Sequence, residues 1–199
     1  GWETHSIRSH DLETEKEKEL YRYRTPDDNV TMALSPDGKQ LAVFLRHNEN
    51  TRILKILSTT ESSEKDIYTF KVDGFGYTKP AWSPDGRYIY FSQRTGSLEE
   101  KRPWELLRIP ATGGVAENLG LNMFLFTSLS IHPDGRQIAF TSFAGREKPG
   151  GVWVMENFLP PDKLPQKTEK ENSQFNITRI SPNEKVDFLG AFGFLGSPS

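Results

Sequence analysis

Trp82-Ser83-Pro84-Asp85-Gly86-Arg87-Tyr88-Ile89-Tyr90-Phe91 is the stretch from which the fold can be read. It recurs upstream as Leu34-Ser35-Pro36-Asp37-Gly38-Lys39-Gln40-Leu41-Ala42-Val43-Phe44 and downstream as Ile131-His132-Pro133-Asp134-Gly135-Arg136-Gln137-Ile138-Ala139-Phe140. The aspartates stand at 37, 85 and 134, spacings of 48 and 49 residues. A repeat of about 40–50 residues built from strand-like units is the signature of propeller blades.

The chemistry of the motif explains the repeat. Asp-Gly between two apolar runs is a hairpin signal, because Gly38, Gly86 and Gly135 accept a positive φ at little steric cost. The proline fixes φ ahead of the turn and cannot continue a central strand. A Ser or Asp side-chain oxygen can take the turn's backbone amides. Asp37, Asp85 and Asp134 are therefore expected to form turns and not to act as catalytic acids or metal ligands. The strand that follows has two apolar faces, with Leu41, Val43 and Leu45 on one side and Ala42 and Phe44 on the other. A sheet packed between two neighbouring sheets needs that pattern.

Outward from each motif the same order of strands repeats. A short strand precedes each turn: Val30 to Leu34, Tyr77 to Trp82, Phe124 to Ile131. Two more follow the first hairpin, Arg52 to Leu57 and Asp66 to Val72. Two follow the second, Trp104 to Ile109 and Val115 to Leu119, around the turn-rich Pro110-Ala111-Thr112-Gly113-Gly114. Gly151 to Glu156 follows the third. Each repeat is thus expected to hold four strands, A to D, with the Asp-Gly turn between A and B. Ser6 to Leu12 and Glu17 to Tyr23 read as strands C and D of a preceding half blade. The charged run Glu13 to Glu19 is assigned to their hairpin, because its apolar spacing is not helical. The expected organisation is an all-β, partial β-propeller of three to four four-stranded antiparallel blades. The half blade occupies 1–24, and full repeats occupy about 25–73, 74–120 and 121–160. Residues 161–199 form a polar linker followed by an extended or degenerate-blade segment. In that segment Phe175 to Ile180 is one more candidate strand, and Ser181-Pro182-Asn183-Glu184 echoes the turn.

The Ser-Pro-Asp-Gly-Lys/Arg turn with its aromatic-ended strand resembles the repeat of the TolB-like propellers. Val152-Trp153-Val154-Met155-Glu156-Asn157-Phe158-Leu159-Pro160 resembles the end of the last blade in bacterial members. The third copy departs from the pattern, with His132 in the serine position. The resemblance covers roughly residues 6–160 and implies a fold. It leaves function open, since this repeat also occurs in the propellers of prolyl-oligopeptidase-type and tricorn-type peptidases and in oligogalacturonate lyases. An extracytoplasmic, periplasmic setting is favoured over a cytoplasmic one. Three and a half blades do not close a ring of four to eight. The missing blades are expected in a longer parent protein, in a pairing of two chains, or in the C-terminal segment. An open arc is expected to bare apolar faces at both ends.

Composition narrows the functions. With 199 residues and a formal net charge of −2, the chain carries no global field for nucleic acid or an acidic membrane. It has no cysteine, so disulfides and thiol catalysis are excluded. No apolar run is long enough to span a bilayer. The opening Gly1-Trp2-Glu3-Thr4-His5 has no signal-peptide pattern and reads as a segment cut from a longer protein. There is no Gly-x-Ser-x-Gly elbow. His5, His10, His47 and His132 show no metal-ligand spacing, so neither a metal nor a cofactor is expected. Asn29-Val30-Thr31 and Asn176-Ile177-Thr178 match glycosylation sequons.

What remains is the loop face. The B–C and D–A connections share one end of the blades. Arg46, His47, Arg52, Arg94, Lys101, Arg102, Arg146 and Lys148 fall there, offset by Glu49, Glu99, Glu100, Glu147, Asp27, Asp28 and Asp73. Of these, Arg46, His47, Arg94, Arg102 and Arg146 are the candidate binding residues. Trp104 and Phe143 join them as contact anchors, because aromatic and Arg side chains dominate interface energetics. Trp82 and Trp153 are expected in the core. The function expected is a non-catalytic scaffold or sensory module that binds a protein or peptide, with a homodimer as one form of partner. The alternatives are a propeller attached to a prolyl-oligopeptidase-type peptidase and an oligogalacturonate-lyase-like enzyme. Nucleic-acid binding is not supported.

Overall fold

The structure, a computed structural model, describes residues 1–25, 30–71, 79–94, 103–123, 126–142, 150–156 and 176–179. Among these residues every element is a strand. A hairpin pairs β1 (Glu3–His10) with β2 (Glu17–Thr25). Three four-stranded antiparallel sheets follow. Sheet I holds β3 (Thr31–Leu34), β4 (Gln40–Asn48), β5 (Thr51–Ser58) and β6 (Glu64–Lys71). Sheet II holds β7 (Ala81–Trp82), β8 (Tyr88–Gln93), β9 (Trp104–Pro110) and β10 (Glu117–Met123). Sheet III holds β11 (Phe126–Ile131), β12 (Gln137–Ser142), β13 (Gly151–Glu156) and β14 (Asn176–Arg179). Within each sheet the strands lie in chain order, so each sheet is a simple meander.

The repeated turn is built as its residues dictate. Ser35 Oγ donates to Asp37 Oδ1 at 2.6 Å and accepts the Gln40 amide at 2.9 Å. Asp37 Oδ1 takes the Lys39 amide at 3.0 Å, and Gly38 sits at φ 72°. The second copy repeats this: Ser83 to Asp85 at 2.5 Å, Tyr88 amide to Ser83 at 2.9 Å, Arg87 amide to Asp85 at 3.0 Å, Gly86 at φ 70°. In the third, His132 Nδ1 lies 2.9 Å from Asp134 Oδ1, which takes the Arg136 amide at 2.8 Å. An imidazole has no hydroxyl with which to take the following strand's amide as well.

These carboxylates are held in the ionised form. Burial pushes the Asp85 carboxyl up, but the Ser83 hydroxyl, the Arg87 amide and the Arg87 guanidinium outweigh it and bring it down to about 2. Asp37 is lowered chiefly by the Ser35 hydroxyl, and Asp134 chiefly by the Arg136 amide. The hairpin turn is similar: Asp11 Oδ1 takes the Glu13 and Thr14 amides at 2.9 and 2.8 Å, and the Thr14 amide leads in lowering its carboxyl.

The two-faced strands pack as their pattern requires. Leu41, Val43, Leu45 and Leu57 face the hairpin, where Ile7 is buried and Leu20, Tyr21 and Tyr23 pack against them. Ala42, Phe44, Leu54 and Ile56 face the other way, against Trp82, Ile89, Phe91, Leu107 and Ile109 of sheet II. Tyr90, Leu106 and Leu119 of sheet II then meet Ile138, Phe140 and Met155 of sheet III. The stack therefore runs hairpin, sheet I, sheet II, sheet III. Full burial of a side chain such as Phe44 or Phe140 contributes roughly 1.5–3 kcal/mol.

Two features depart from the sequence expectation or add to it. The outward face of the hairpin is polar: Thr4, Arg8, Arg22 and Arg24 are exposed along it. Arg8 pairs with Glu17 at 3.1 Å and Arg22 with Glu19 at 2.9 Å. The hairpin face turned away from sheet I is therefore charged and solvated and not a bare apolar sheet. The second feature is β14, which pairs with β13 over Trp153↔Arg179 to Glu156↔Asn176. The last sheet thus draws its fourth strand from beyond residue 160. The Ser181-Pro182-Asn183-Glu184 echo lies outside the described residues.

Candidate functional site

The connections between strands B and C leave the arc at the ends of β4, β8 and β12. Only the first is described throughout. There the Asn48 carboxamide caps the turn by taking the Asn50 amide at 3.1 Å. Arg46 and Arg52 are cross-strand partners flanking it. Arg46 donates to the carbonyls of Asn48 and Glu49 at 3.3 and 3.5 Å. Arg52 donates to those of Asn48, Glu49 and Thr51 at 3.2, 3.4 and 3.3 Å. Both guanidiniums therefore brace their own turn. His47 lies between them in sequence and is exposed.

Arg94 follows β8 and sets its guanidinium 6.0 Å from the Trp104 ring centroid. Trp104 itself is 6% exposed, buried in the core between sheets II and III. It thus packs as a core residue that presents a face to a cation. Arg102, Phe143 and Arg146 lie outside the described residues. Trp82 is a core residue, and Trp153 packs partly buried against the sheet II–III core. The turn residues Asp37, Gly38, Asp85, Gly86, Asp134 and Gly135 all sit in their hairpins.

Sequence reasoning passed over two buried cations between blades. Lys55 is 8% exposed and bonds Glu64 at 3.1 Å and Asp66 at 2.7 Å, with Tyr21 beneath it at 5.2 Å. Burial lowers its affinity for a proton, but the bonds to Asp66 and Glu64 outweigh that and its pKa is raised. Arg108, also 8% exposed, bonds Glu117 at 2.7 Å and lies 4.9 Å from the Tyr88 ring. Burial pushes the neighbouring Tyr90 hydroxyl up to about 12, against the pull of Arg108. The signal was one cation inside an apolar run, in Ile53-Leu54-Lys55-Ile56 and Leu106-Leu107-Arg108-Ile109. Nothing in the sequence named the carboxylates, which stand on the next strand.

At the opposite end, among the Asp-Gly turns, a groove of about 650 Å³ opens between sheets I and II. Gln40, Glu64, Lys65, Arg87 and Thr112 line it over a floor that includes Ile56. Lys65 crosses it to donate to the Thr112 carbonyl at 2.7 Å. Among the described residues, no three His, Cys, Asp or Glu side chains group closely enough to hold a metal ion. Nor is any helix there long and apolar enough to cross a membrane.

Four-stranded antiparallel meanders stacked face to face, each opened by a Pro-Asp-Gly hairpin, define an arc of a β-propeller. No family model matches the sequence. Among solved structures, TolB from Acinetobacter baumannii matches with TM-score 0.60 and 18% identity over 76% of this chain and 35% of that one. A protein assigned as TolB in Agrobacterium tumefaciens matches with TM-score 0.51 and 19% identity over 78% of this chain and 58% of that one. A prolyl endopeptidase matches with TM-score 0.60 and 15% identity over 88% of this chain and 26% of that one. The fold of this chain is that of a TolB-like β-propeller, and the chain spans only 35% and 58% of the two TolB structures.

Proposed function

We propose that this chain is a non-catalytic scaffold module that binds a protein or peptide through the B–C and D–A loop end of its blades. One observation carries the reading: at the ends of two adjacent sheets His47 is exposed and the Arg94 guanidinium lies against Trp104, a ring fixed in the core between sheets II and III. Side chains anchored on rigid strand ends lose little entropy on binding. Cations stacked on an aromatic ring suit carboxylate-bearing or aromatic segments of a partner.

The test is a peptide array probed with the purified chain, followed by titration of the hits. Arg94→Ala and His47→Ala should each weaken binding severalfold, while Lys65→Ala and Arg87→Ala at the opposite end should not. Hits that respond only to Lys65→Ala or Arg87→Ala would place the binding surface in the other groove and defeat the reading. A second copy of the chain as partner is read separately by light scattering, as a mass near twice 22.7 kDa.

A further inference from the structure

Equivalent positions carry different residues in successive blades. Gln40 opens β4 opposite Ser58, and Tyr88 opens β8 opposite Pro110. Two residues back on the third strand stand Ile56 in sheet I and Arg108 in sheet II. Their partners on the fourth strand are Lys65 and Glu117. In sheet II this set fills the seam toward sheet III: Arg108 bonds Glu117 at 2.7 Å and lies 4.9 Å from the Tyr88 ring. In sheet I the set is Gln40, Ile56, Ser58 and Lys65, and the seam toward sheet II opens instead as the groove of about 650 Å³. That volume lies in the range of small-molecule sites.

The exchange also leaves a cation without a counter-ion. Glu64 and Asp66, on either side of Lys65 in sequence, both bond Lys55. Among the described residues the Lys65 ammonium bonds the Thr112 carbonyl at 2.7 Å and no carboxylate. Arg87 lines the groove from sheet II, with its side chain 70% exposed and Nε held by Asp85 at 2.6 Å. The Gln40 carboxamide and the hydroxyls of Ser58, Ser63 and Thr112 line the rest, over Ile56. A neutral carbonyl is a weaker partner for an ammonium than an anion is, so an entering anion can take its place.

The geometry points to a binding site for a small polyhydroxylated molecule carrying one anionic group, carboxylate or phosphate, in the groove at the Asp-Gly turn end of sheets I and II. Lys65 exchanges the Thr112 carbonyl for the anionic group, and Arg87 adds a second positive charge to the same groove. Hydroxyls and a carboxamide both donate and accept, which suits the hydroxyls of the ligand's body. The groove lies at the end opposite the proposed partner surface, so its occupant is independent of that reading.

The test titrates the purified chain with glucose 6-phosphate, gluconate and glucose, each to millimolar concentration, and follows backbone amide shifts by NMR. The amides of Lys65, Arg87 and Thr112 should shift saturably with at least one of the two anions and stay in place with glucose. Saturation by glucose 6-phosphate alone assigns the anionic group as phosphate, and by gluconate alone as carboxylate; either supports the site. Lys65→Met, which keeps the stem, should weaken binding about tenfold. A triple variant that installs the next blade's residues, Gln40→Tyr with Ile56→Arg and Lys65→Glu, should abolish it. Should that variant not fold, Lys65→Met decides alone. No saturable shift with either anion, an equal response to glucose, saturation centred elsewhere on the chain, or undiminished binding by Lys65→Met would overturn the proposal. So would a groove that takes a polyglutamate peptide and neither small anion.

Discussion

Trp82 Nε1 donates a 2.9 Å hydrogen bond to the carbonyl oxygen of Ala33, tying the inner strand of one blade to that of the blade before it. The indole is 7% exposed and packs in the same cluster as Phe91, so the donor is shielded from water while Ala33 is partly buried. Trp82→Phe keeps a ring and leaves the carbonyl unpaired, which should cost about 1–3 kcal/mol. Trp82→Ala adds a cavity and should cost about 3–5 kcal/mol. Urea unfolding checks both. Equal losses would mean that the ring's packing adds nothing beyond the bond, and no loss for Trp82→Phe would mean that the bond adds nothing beyond packing.

The third turn has an uncommon residue at its first position. Ser35 and Ser83 each make two bonds, one to the motif aspartate and one from the next strand's amide. His132 Nδ1 lies 2.9 Å from the aspartate and takes the Asp134 amide at a long 3.3 Å, but the ring has no oxygen for the Gln137 amide. His132→Ser should therefore stabilise the chain at neutral pH by about 0.5–1.5 kcal/mol, the worth of one hydrogen bond. Ser83→Ala should lose a comparable amount. A shift of urea midpoint in the opposite direction for His132→Ser would show that the ring packs more usefully than the hydroxyl would bond.

Acid should loosen the turns in a defined window. Asp85 has an ordinary value of 3.8 and is brought to about 2 in the fold. A carboxyl depressed by folding contributes stability that is fully present above its unfolded value and is lost as pH falls through its folded one. Asp37, Asp134 and Asp11 are lowered in the same direction. Urea midpoints should accordingly hold steady down to about pH 5 and fall between about pH 4 and pH 2. Asp85→Asn should flatten part of that fall. A wild-type profile flat to pH 2 would contradict the assignment.

How far the sequence could be read follows from where the physics is local. Asp-Gly turns, the proline ahead of them and the two-faced strand Leu41 to Leu45 act within a dozen residues, so the blades and their stacking order were legible. The pairing of β14 with β13 was not, because a segment separated by residues 157–175 carries no local sign of the sheet it will join. The loop-end cations are legible in composition, but composition cannot tell that Arg46 and Arg52 donate to carbonyls of their own turn. The same limit hid Lys55 and Arg108, whose partners are set by cross-strand register: Lys55 opposite Asp66, Arg108 opposite Glu117.

Lys55 offers the sharpest test of what holds the hairpin on. Its ammonium sits between Glu64, Asp66 and the Tyr21 ring, at the seam between hairpin and sheet I. The lysine side chain is 10% exposed, whereas those of Glu64 and Asp66 are 48% and 49% exposed. Removing the lysine charge therefore strands no buried carboxylate, since both acids can turn to water. Lys55→Met keeps the stem that covers Tyr21 and should change stability by less than about 1 kcal/mol. Lys55→Glu places a third carboxylate in the seam and should loosen the hairpin alone, read as faster hydrogen exchange in β1 and β2 with sheet II unchanged. If Lys55→Met loosens the hairpin as much as Lys55→Glu does, the ion pairs hold the seam and the apolar contacts of Ile7 with Leu41 and Val43 do not.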